Sequence, residues 1–245
     1  MRSDRSIDAE LSGTTGVVLF MTQNSEGDLK IWSANVGDSR ATCYGFMCTG
    51  VAPDKALETG IVGNALKEVN TLTQDDSATQ DLTMDQKPNT PSEESRIKAN
   101  GGFVSPPEEE WGGPARVWLD ANMTLPGLAM ARSIGDHLVS SIGVIAEPKI
   151  EEFTISAANL GAAQKKAEPF IVMASDGVWE FIESHQATKL VAEHLGKQND
   201  STFAVTKLIE TAAAKWRQEE GDYRDDITAI VIRLNDLFLK DPPEA

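Results

Sequence analysis

Three apolar runs follow one another near the N-terminus, and the breaks between them constrain the fold more than any other feature. The runs are Gly16 to Met21, Leu29 to Val36 and Arg40 to Phe46. The first break, Gln23-Asn24-Ser25-Glu26-Gly27-Asp28, is built from turn-forming residues. The second, Gly37-Asp38-Ser39, is short enough to be a tight turn. Runs of strand length with such punctuation predict three consecutive antiparallel strands.

Further along, Thr90-Pro91-Ser92-Glu93 has the grammar of a helix start. Thr90 can cap, Pro91 suits the first helical position, and Glu93 can close a capping box. Gly101-Gly102 ends that helix. Residues 103–125 read as a long ordered loop, because Trp111, Val117 and Trp118 require burial. Residues 48–82 read as a surface insertion with a weakly patterned helix over 56–69. Pro169 to Asp176 predicts a strand feeding an Asp-Gly turn, and Ser184 to Leu195 an amphipathic helix. A second helix starts near Ser201 and carries Val205, Leu208, Ile209, Ala212 and Trp216 at helical spacing, as core positions. Ile227 to Leu234 predicts a last strand. Strands, helices and strands again, joined by short connections, predict an α+β fold with mostly antiparallel sheet. There is no internal repeat, no G-x-G-x-x-G and no Walker A loop.

The chain has 245 residues, enough for one large domain or two small ones. Its formal net charge of −16 opposes nucleic-acid binding, and Lys165-Lys166 is the sole adjacent basic pair. No apolar run approaches the roughly 20 residues of a membrane span. No apolar stretch follows the charged Met1-Arg2-Ser3-Asp4-Arg5, so no secretory leader is expected. Cys43 and Cys48 are too few for a disulfide framework and form no C-x-x-C pair, which predicts reduced thiols. The Asn-x-Ser/Thr triplets at Asn122 and Asn199 are expected to be chance matches. Together these features make the cytoplasm the default expectation, with no membrane or nucleic-acid partner; a monomer is expected, though no feature of the sequence fixes the oligomeric state.

Asp38, Asp176 and Asp225 each sit just past or just before an apolar run, at a turn. A carboxylate at a strand end is held by the sheet yet reaches its rim. Several such carboxylates can surround a hard cation, which prefers oxygen ligands. Asp beside Gly is equally ordinary turn chemistry, so each aspartate alone stays open between ligand and turn residue. Of the three histidines, His185 and His194 fall on a predicted surface helix and His137 follows Gly135-Asp136. Neither a G-x-S-x-G elbow nor an H-E-x-x-H helix is present.

Beyond these single residues, a series of blocks resembles the protein phosphatase 2C family in the family's own order. Ser33-Ala34-Asn35-Val36-Gly37-Asp38-Ser39-Arg40 resembles its GDSR motif, and Leu82-Thr83-Met84-Asp85-Gln86-Lys87-Pro88 its LTxDHKP element. Glu94-Ser95-Arg96-Ile97 with Gly101-Gly102-Phe103-Val104 is similar to ExxRIxxxGGxV. Leu128 to Asp136, Ala146 to Ile150, Ala174 to Glu180 and Arg224 to Thr228 resemble the LAxSRxxGD, xEPEI, ASDGxWD and RDNxT elements. Ser12-Gly13-Thr14-Thr15 matches the entry into this half of the domain. The resemblance spans Ser12 to Leu234 and looks eukaryotic, most like protist or algal members.

The resemblance implies an α-β-β-α four-layer sandwich over residues 12–236, preceded by a poorly ordered segment 1–11 and followed by a polar tail 237–245. It implies hydrolysis of phosphoserine and phosphothreonine in proteins, in signalling, by a water activated at a Mg2+ or Mn2+ centre. Asp176 and Asp225 would be metal ligands, and Asp38 would hold a third, weaker metal. Gly177, Asp136 and Arg132 would be structural residues near the site, and residues 103–125 would be a flap shaping substrate choice. Phosphoproteins would be the substrates.

Departures from the pattern are as specific. Asp176-Gly177 is the one Asp-Gly in the chain, and no His follows it. The family's Asp-Gly-His-Gly-Gly, with its bridging Asp and general-acid His, and the preceding arginine stretch are therefore not matched. No catalytic side chain is assigned, and the first strands and helices of the sandwich are expected to be missing. Gln86 stands where the family has His, and Asp226 where it has Asn. A catalytically impaired pseudo-phosphatase, binding phosphoproteins or a partner, is the alternative reading.

Overall fold

The computed structural model describes residues 7–45, 49–51, 79–107, 113–157 and 169–238. Thirteen strands occur among them: β1 Gly13–Thr14, β2 Gly16–Gln23, β3 Leu29–Val36, β4 Arg40–Tyr44, β5 Thr49–Val51, β6 Thr79–Asp81, β7 Phe103–Ser105, β8 Arg116–Trp118, β9 Pro126–Leu128, β10 Ile134–Gly135, β11 Lys149–Ile155, β12 Phe170–Ala174 and β13 Ala229–Arg233. The helices are α1 Pro91–Ala99, α2 Asp176–Trp179, α3 Ser184–Gln198, α4 Ser201–Glu220 and α5 Leu234–Phe238, with a 3-10 turn at His137–Ile142. This mixture of helices and antiparallel sheets is the α+β class read from the sequence.

The chain divides into two compact units. One comprises Met1–Val18, Ala34–Ser39 and Met84–Lys149; the other comprises Leu19–Ser33, Arg40–Thr83 and Ile150–Ala245.

In the second unit, β12 lies between β13 and β4, antiparallel to both, and β6 extends the sheet beyond β4. Helices α3 and α4 cover one face of it. Phe170, Val172, Ala174, Val178, Trp179 and Ile182 bury themselves against Ala187, Val191 and Leu195 of α3 and Ala204, Leu208 and Ala212 of α4. The apolar spacing along α4 therefore marks the core face, as the sequence predicts. Asp200 caps α4 by accepting from the backbone N–H groups of Thr202 and Phe203, at 2.8 and 3.3 Å. Glu183 and Gln186 form a reciprocal capping box on α3.

A second sheet has the order β2-β3-β11-β5. Leu29, Ile31 and Ser33 are buried while Lys30 and Trp32 on the alternate face are half-buried, the period of a strand packed on one side. The hairpin break before β3 is as expected: Gly27 adopts φ +86°, and Asn24 Oδ1 accepts from the N–H groups of Glu26 and Asp28. The second break differs from expectation. β4 does not pair with β3; it pairs with β12 in the other sheet. Gly37-Asp38-Ser39 is a crossing between sheets, and the three strands are not one meander.

The first unit has its own core of Ile97, Val104, Val117, Ala131, Val139, Ile142 and Val144. Residues 103–125, read as a loop, contain β7 and β8, which with β9 form a three-stranded antiparallel sheet. Val117 at its centre is fully buried, and Trp118 Nε1–H donates to Ser105 Oγ at 3.0 Å. Strands of three residues carry too little alternation to stand out in a sequence. Helix α1 begins at Pro91 as predicted, but Thr90 makes no side-chain cap. Glu93 turns inward to two arginines instead of closing the box. Within the segment 1–11, Ala9 is buried and its carbonyl accepts from His137 N–H at 2.8 Å. At the other end, α5 extends to Phe238, into the stretch read as a polar tail. Trp111 and the helix over 56–69 lie outside the described residues.

Candidate functional site

β12 and β13 run antiparallel in register, with Ala174 opposite Ala229. The chain leaving β12 therefore emerges beside the chain entering β13. Asp176 opens α2 just past the first of these strand ends, and Asp225 lies in the loop before the second. Three hydrogen bonds fasten the two segments. Ser175 N–H donates to Thr228 O at 3.0 Å, Thr228 N–H donates to Ser175 Oγ at 3.1 Å, and Ser175 Oγ donates to Asp226 O at 3.1 Å.

Gly177 permits this approach. A Cβ there would overlap the Asp226 carbonyl oxygen, lying 3.0 Å from its carbon and 3.2 Å from Ile227 Cα. The glycine is required by backbone crowding, since its own φ is not positive. Trp216 of α4 holds the other side, its Nε1–H donating to Gly177 O at 2.7 Å. Asp225 Oδ1 accepts from Asp226 N–H at 2.6 Å, which orients its carboxylate locally. Two sequence-predicted ligands thus sit on neighbouring, pinned loops at one sheet end. Their oxygen donors suit Mg2+ or Mn2+. In number they fall short of a dinuclear cage: among the described residues no group of three or more His, Cys, Asp or Glu converges.

Asp38 belongs to the first unit and is built quite differently. It is 1% exposed. Lys87 donates to its Oδ2 at 2.7 Å, while Oδ1 is buried with no hydrogen-bond partner. The turn around it is clamped from two sides. Gln86 Oε1 accepts from Gly37 N–H at 2.6 Å, and Gln86 Nε2 donates to Asn35 O at 3.0 Å. Thr15 Oγ1 and Ser39 Oγ share a hydrogen bond of 2.7 Å, and Thr15 packs where a Gly37 side chain would stand. Gly37 also has φ +99°, a second reason for glycine at that position.

Arg132 and Asp136 hold the same unit together. The Arg132 guanidinium grips Glu93 with two hydrogen bonds, of 3.0 and 2.8 Å, and donates to Glu147 O at 2.7 Å. Arg96 approaches the same Glu93 at 2.7 Å. Burial alone would raise the Glu93 pKa; hydrogen bonds and charge from Arg132 and Arg96 outweigh it and hold the carboxyl below its usual value. Asp136, at φ 44°, accepts from Ser133 Oγ at 2.6 Å and lies against Gly13, where a side chain would collide with it.

Sequence reasoning missed three of these residues. Glu93 was read as a cap, Gln86 as a simple replacement, and Lys87 was given no role. For Gln86 and Lys87 the signal was present in the unbroken run Met84 to Pro88, which has no apolar period to explain it.

Comparisons with known proteins bear on the family and the fold. The family model described as Protein phosphatase 2C matches residues 70–221. "Probable protein phosphatase 2C 73" of Oryza sativa subsp. japonica is 31% identical over 245 residues, covering 100% of this chain and 47% of the relative. "Probable protein phosphatase 2C 48" of the same species is 33% identical, covering 99% of this chain and 56% of the relative. The chain thus spans about half the length of these curated relatives. The crystal structure of serine-threonine phosphatase 2C from Toxoplasma gondii superposes with a TM-score of 0.59 at 20% identity, over 91% of this chain and 59% of that one. A structure of a C. elegans sex determining protein superposes with a TM-score of 0.53 at 16% identity, over 91% and 40% of the two chains. These likenesses carry the fold, an α+β sandwich. With the ordered motifs, the pinned Asp176 and Asp225 loops and a family model matched across more than half of its length, this chain belongs to the protein phosphatase 2C family.

Proposed function

We propose that this chain serves the hydrolysis of phosphoserine and phosphothreonine in phosphoprotein substrates, with Asp176 and Asp225 holding Mg2+ or Mn2+. The observation that supports it best is the pinning of these two carboxylate-bearing segments side by side by Ser175, Thr228 and Gly177. A divalent cation bound there supplies charge for a phosphoryl group and makes a water more acidic. The residues of the chain do the positioning. Asp176 and Asp225 bind, Ser175 and Thr228 fix the distance between their loops, and Trp216 keeps Gly177 in place. Asp38 is proposed as the ligand of a further, weaker cation.

A second reading is favoured by one observation, the short donor set among the described residues. In it, the chain binds phosphoproteins without turning them over. One experiment separates the two. Mn2+ binding is measured by calorimetry and p-nitrophenyl phosphate hydrolysis is assayed with Mn2+ and with chelator, for the wild type and for Asp176→Asn and Asp225→Asn. Mn2+-dependent hydrolysis that both substitutions abolish supports the phosphatase. Phosphopeptide binding with neither hydrolysis nor Mn2+ affinity supports the binding module. Mn2+ affinity indifferent to both substitutions refutes the ligand assignment.

A further inference from the structure

Asp38 has one carboxylate oxygen paired and one bare, and its pairing partner is the side chain most able to leave. Asp38's own side chain is 2% exposed, whereas that of Lys87 is 30% exposed. The aspartate cannot swing away. Gln86 fixes the backbone before it through Gly37 and Asn35, and the Thr15–Ser39 hydrogen bond fixes the backbone after it. Asn35 Nδ2–H adds donations to Met84 O at 3.1 Å and Gly37 O at 3.3 Å. The lysine, by contrast, is a flexible stem with a compact, strongly hydrated head that can retract into water.

A buried carboxylate without a counter-charge is costly, so something cationic has to accompany it. We propose that Lys87 is the resident counter-cation of Asp38, and that a divalent cation binds at Asp38 in competition with the Lys87 ammonium. This rests on the reading of Asp38 as a cation ligand. It adds a cause for the weakness of that site. While Lys87 occupies Oδ2, the buried Oδ1 is the one carboxylate oxygen left without a hydrogen bond, and displacing the ammonium discards a 2.7 Å ion pair. The Gln86-Lys87 dipeptide then has two tasks at one turn: the glutamine holds the aspartate still, and the lysine sets its affinity.

The test reads binding and not hydrolysis. Free Mn2+ is followed by electron paramagnetic resonance during titration of the full chain, as wild type, Lys87→Met, Lys87→Gln, Lys87→Arg, Asp38→Asn and Lys87→Met with Asp38→Asn. Near-UV circular dichroism checks packing in each. Removing the ammonium is expected to tighten the Asp38-dependent Mn2+ by at least about fivefold, the low end of coupling between two sites. Lys87→Gln keeps a donor to Oδ2 without the charge and is expected to follow Lys87→Met. Lys87→Arg keeps the charge and is expected to follow the wild type. The gain must vanish when Asp38→Asn is added. Folded Lys87→Met or Lys87→Gln protein that binds Mn2+ no tighter than wild type overturns the proposal, as does a gain that persists without Asp38. Binding that depends on Asp176 and Asp225 is read separately in the Asp38→Asn background, so failure of either idea leaves the other legible.

Discussion

Replacing Gly177 by alanine adds one methyl group, and the structure says what that methyl meets. It would overlap the Asp226 carbonyl oxygen and crowd the Asp226 carbon at 3.0 Å and Ile227 Cα at 3.2 Å, all backbone atoms with no rotamer to escape into. To reach an ordinary contact distance, the carbonyl has to retreat by about 1 Å. That carbonyl also accepts from Ser175 Oγ, and the next hydrogen bond on the same strip is Thr228 N–H to Ser175 Oγ. The displacement therefore loosens the strip that aligns Asp176 with Asp225. Overpacking of this kind costs about 1–3 kcal/mol. For a chain of this size that lowers the melting temperature by roughly 2–12 °C. Gly196 provides the matched control. It lies within α3 and has nothing within 4 Å of an added Cβ, so Gly196→Ala is expected to stabilise by about 0.5–1 kcal/mol. The assay is thermal and urea unfolding of both variants, with Mn2+ titration of each. Gly177→Ala should be less stable and bind Mn2+ more weakly, and Gly196→Ala should be more stable with unchanged Mn2+ affinity. If the two variants shift stability in the same direction, or if Gly177→Ala leaves Mn2+ affinity intact, the close approach of the two loops does not organise the site.

Glu93→Gln removes the charge between Arg132 and Arg96 and is expected to cost about 3 kcal/mol at neutral pH, the low end for a buried pair broken from one side. The folded-state pKa of Glu93 is depressed, so its contribution is full above the unfolded carboxyl pKa and disappears as pH falls through the lower folded value. Urea unfolding across the acid range should show a shallower loss of stability in Glu93→Gln than in the wild type; parallel curves would show that Glu93 carries no linked proton. Leu208→Ala opens a cavity between α4 and the β12 sheet, where Leu208 is fully buried, and should destabilise by about 2–5 kcal/mol in urea. A cost under 1 kcal/mol would mean that this part of the core is loosely packed.

What the sequence disclosed depended on the range over which each signal acts. The hairpin before β3, the start of α1 at Pro91 and the buried stripe of α4 are set by neighbours within a turn or two, and all three were readable. The Gly37-Asp38-Ser39 break was readable as a turn but not as a crossing between sheets, because a glycine with positive φ serves either purpose. Glu93 had two uses available, a cap within its own helix or a charge shared by Arg96 one turn along and Arg132 39 positions away. The second prevailed because two guanidinium groups bind a buried carboxylate more strongly than one backbone N–H.

The candidate site divides along the same line. Asp176 and Asp225 were legible because turn grammar places an aspartate at each strand end, and antiparallel pairing of β12 with β13 then brings those ends together. What fastens their two loops together was not legible. Nothing near Gly177 in sequence announces that Asp226 will pass within contact of it, and nothing near Trp216 announces its hydrogen bond to Gly177 O. Asp38 differs again: its carboxylate is paired by Lys87 and the turn before it is held by Gln86 on Gly37, each contact reaching across 49 positions of the chain. A glutamine can stand there in place of the family's histidine because the position calls for one acceptor facing Gly37 N–H and one donor facing Asn35 O. A side-chain amide presents both at once, whatever the pH.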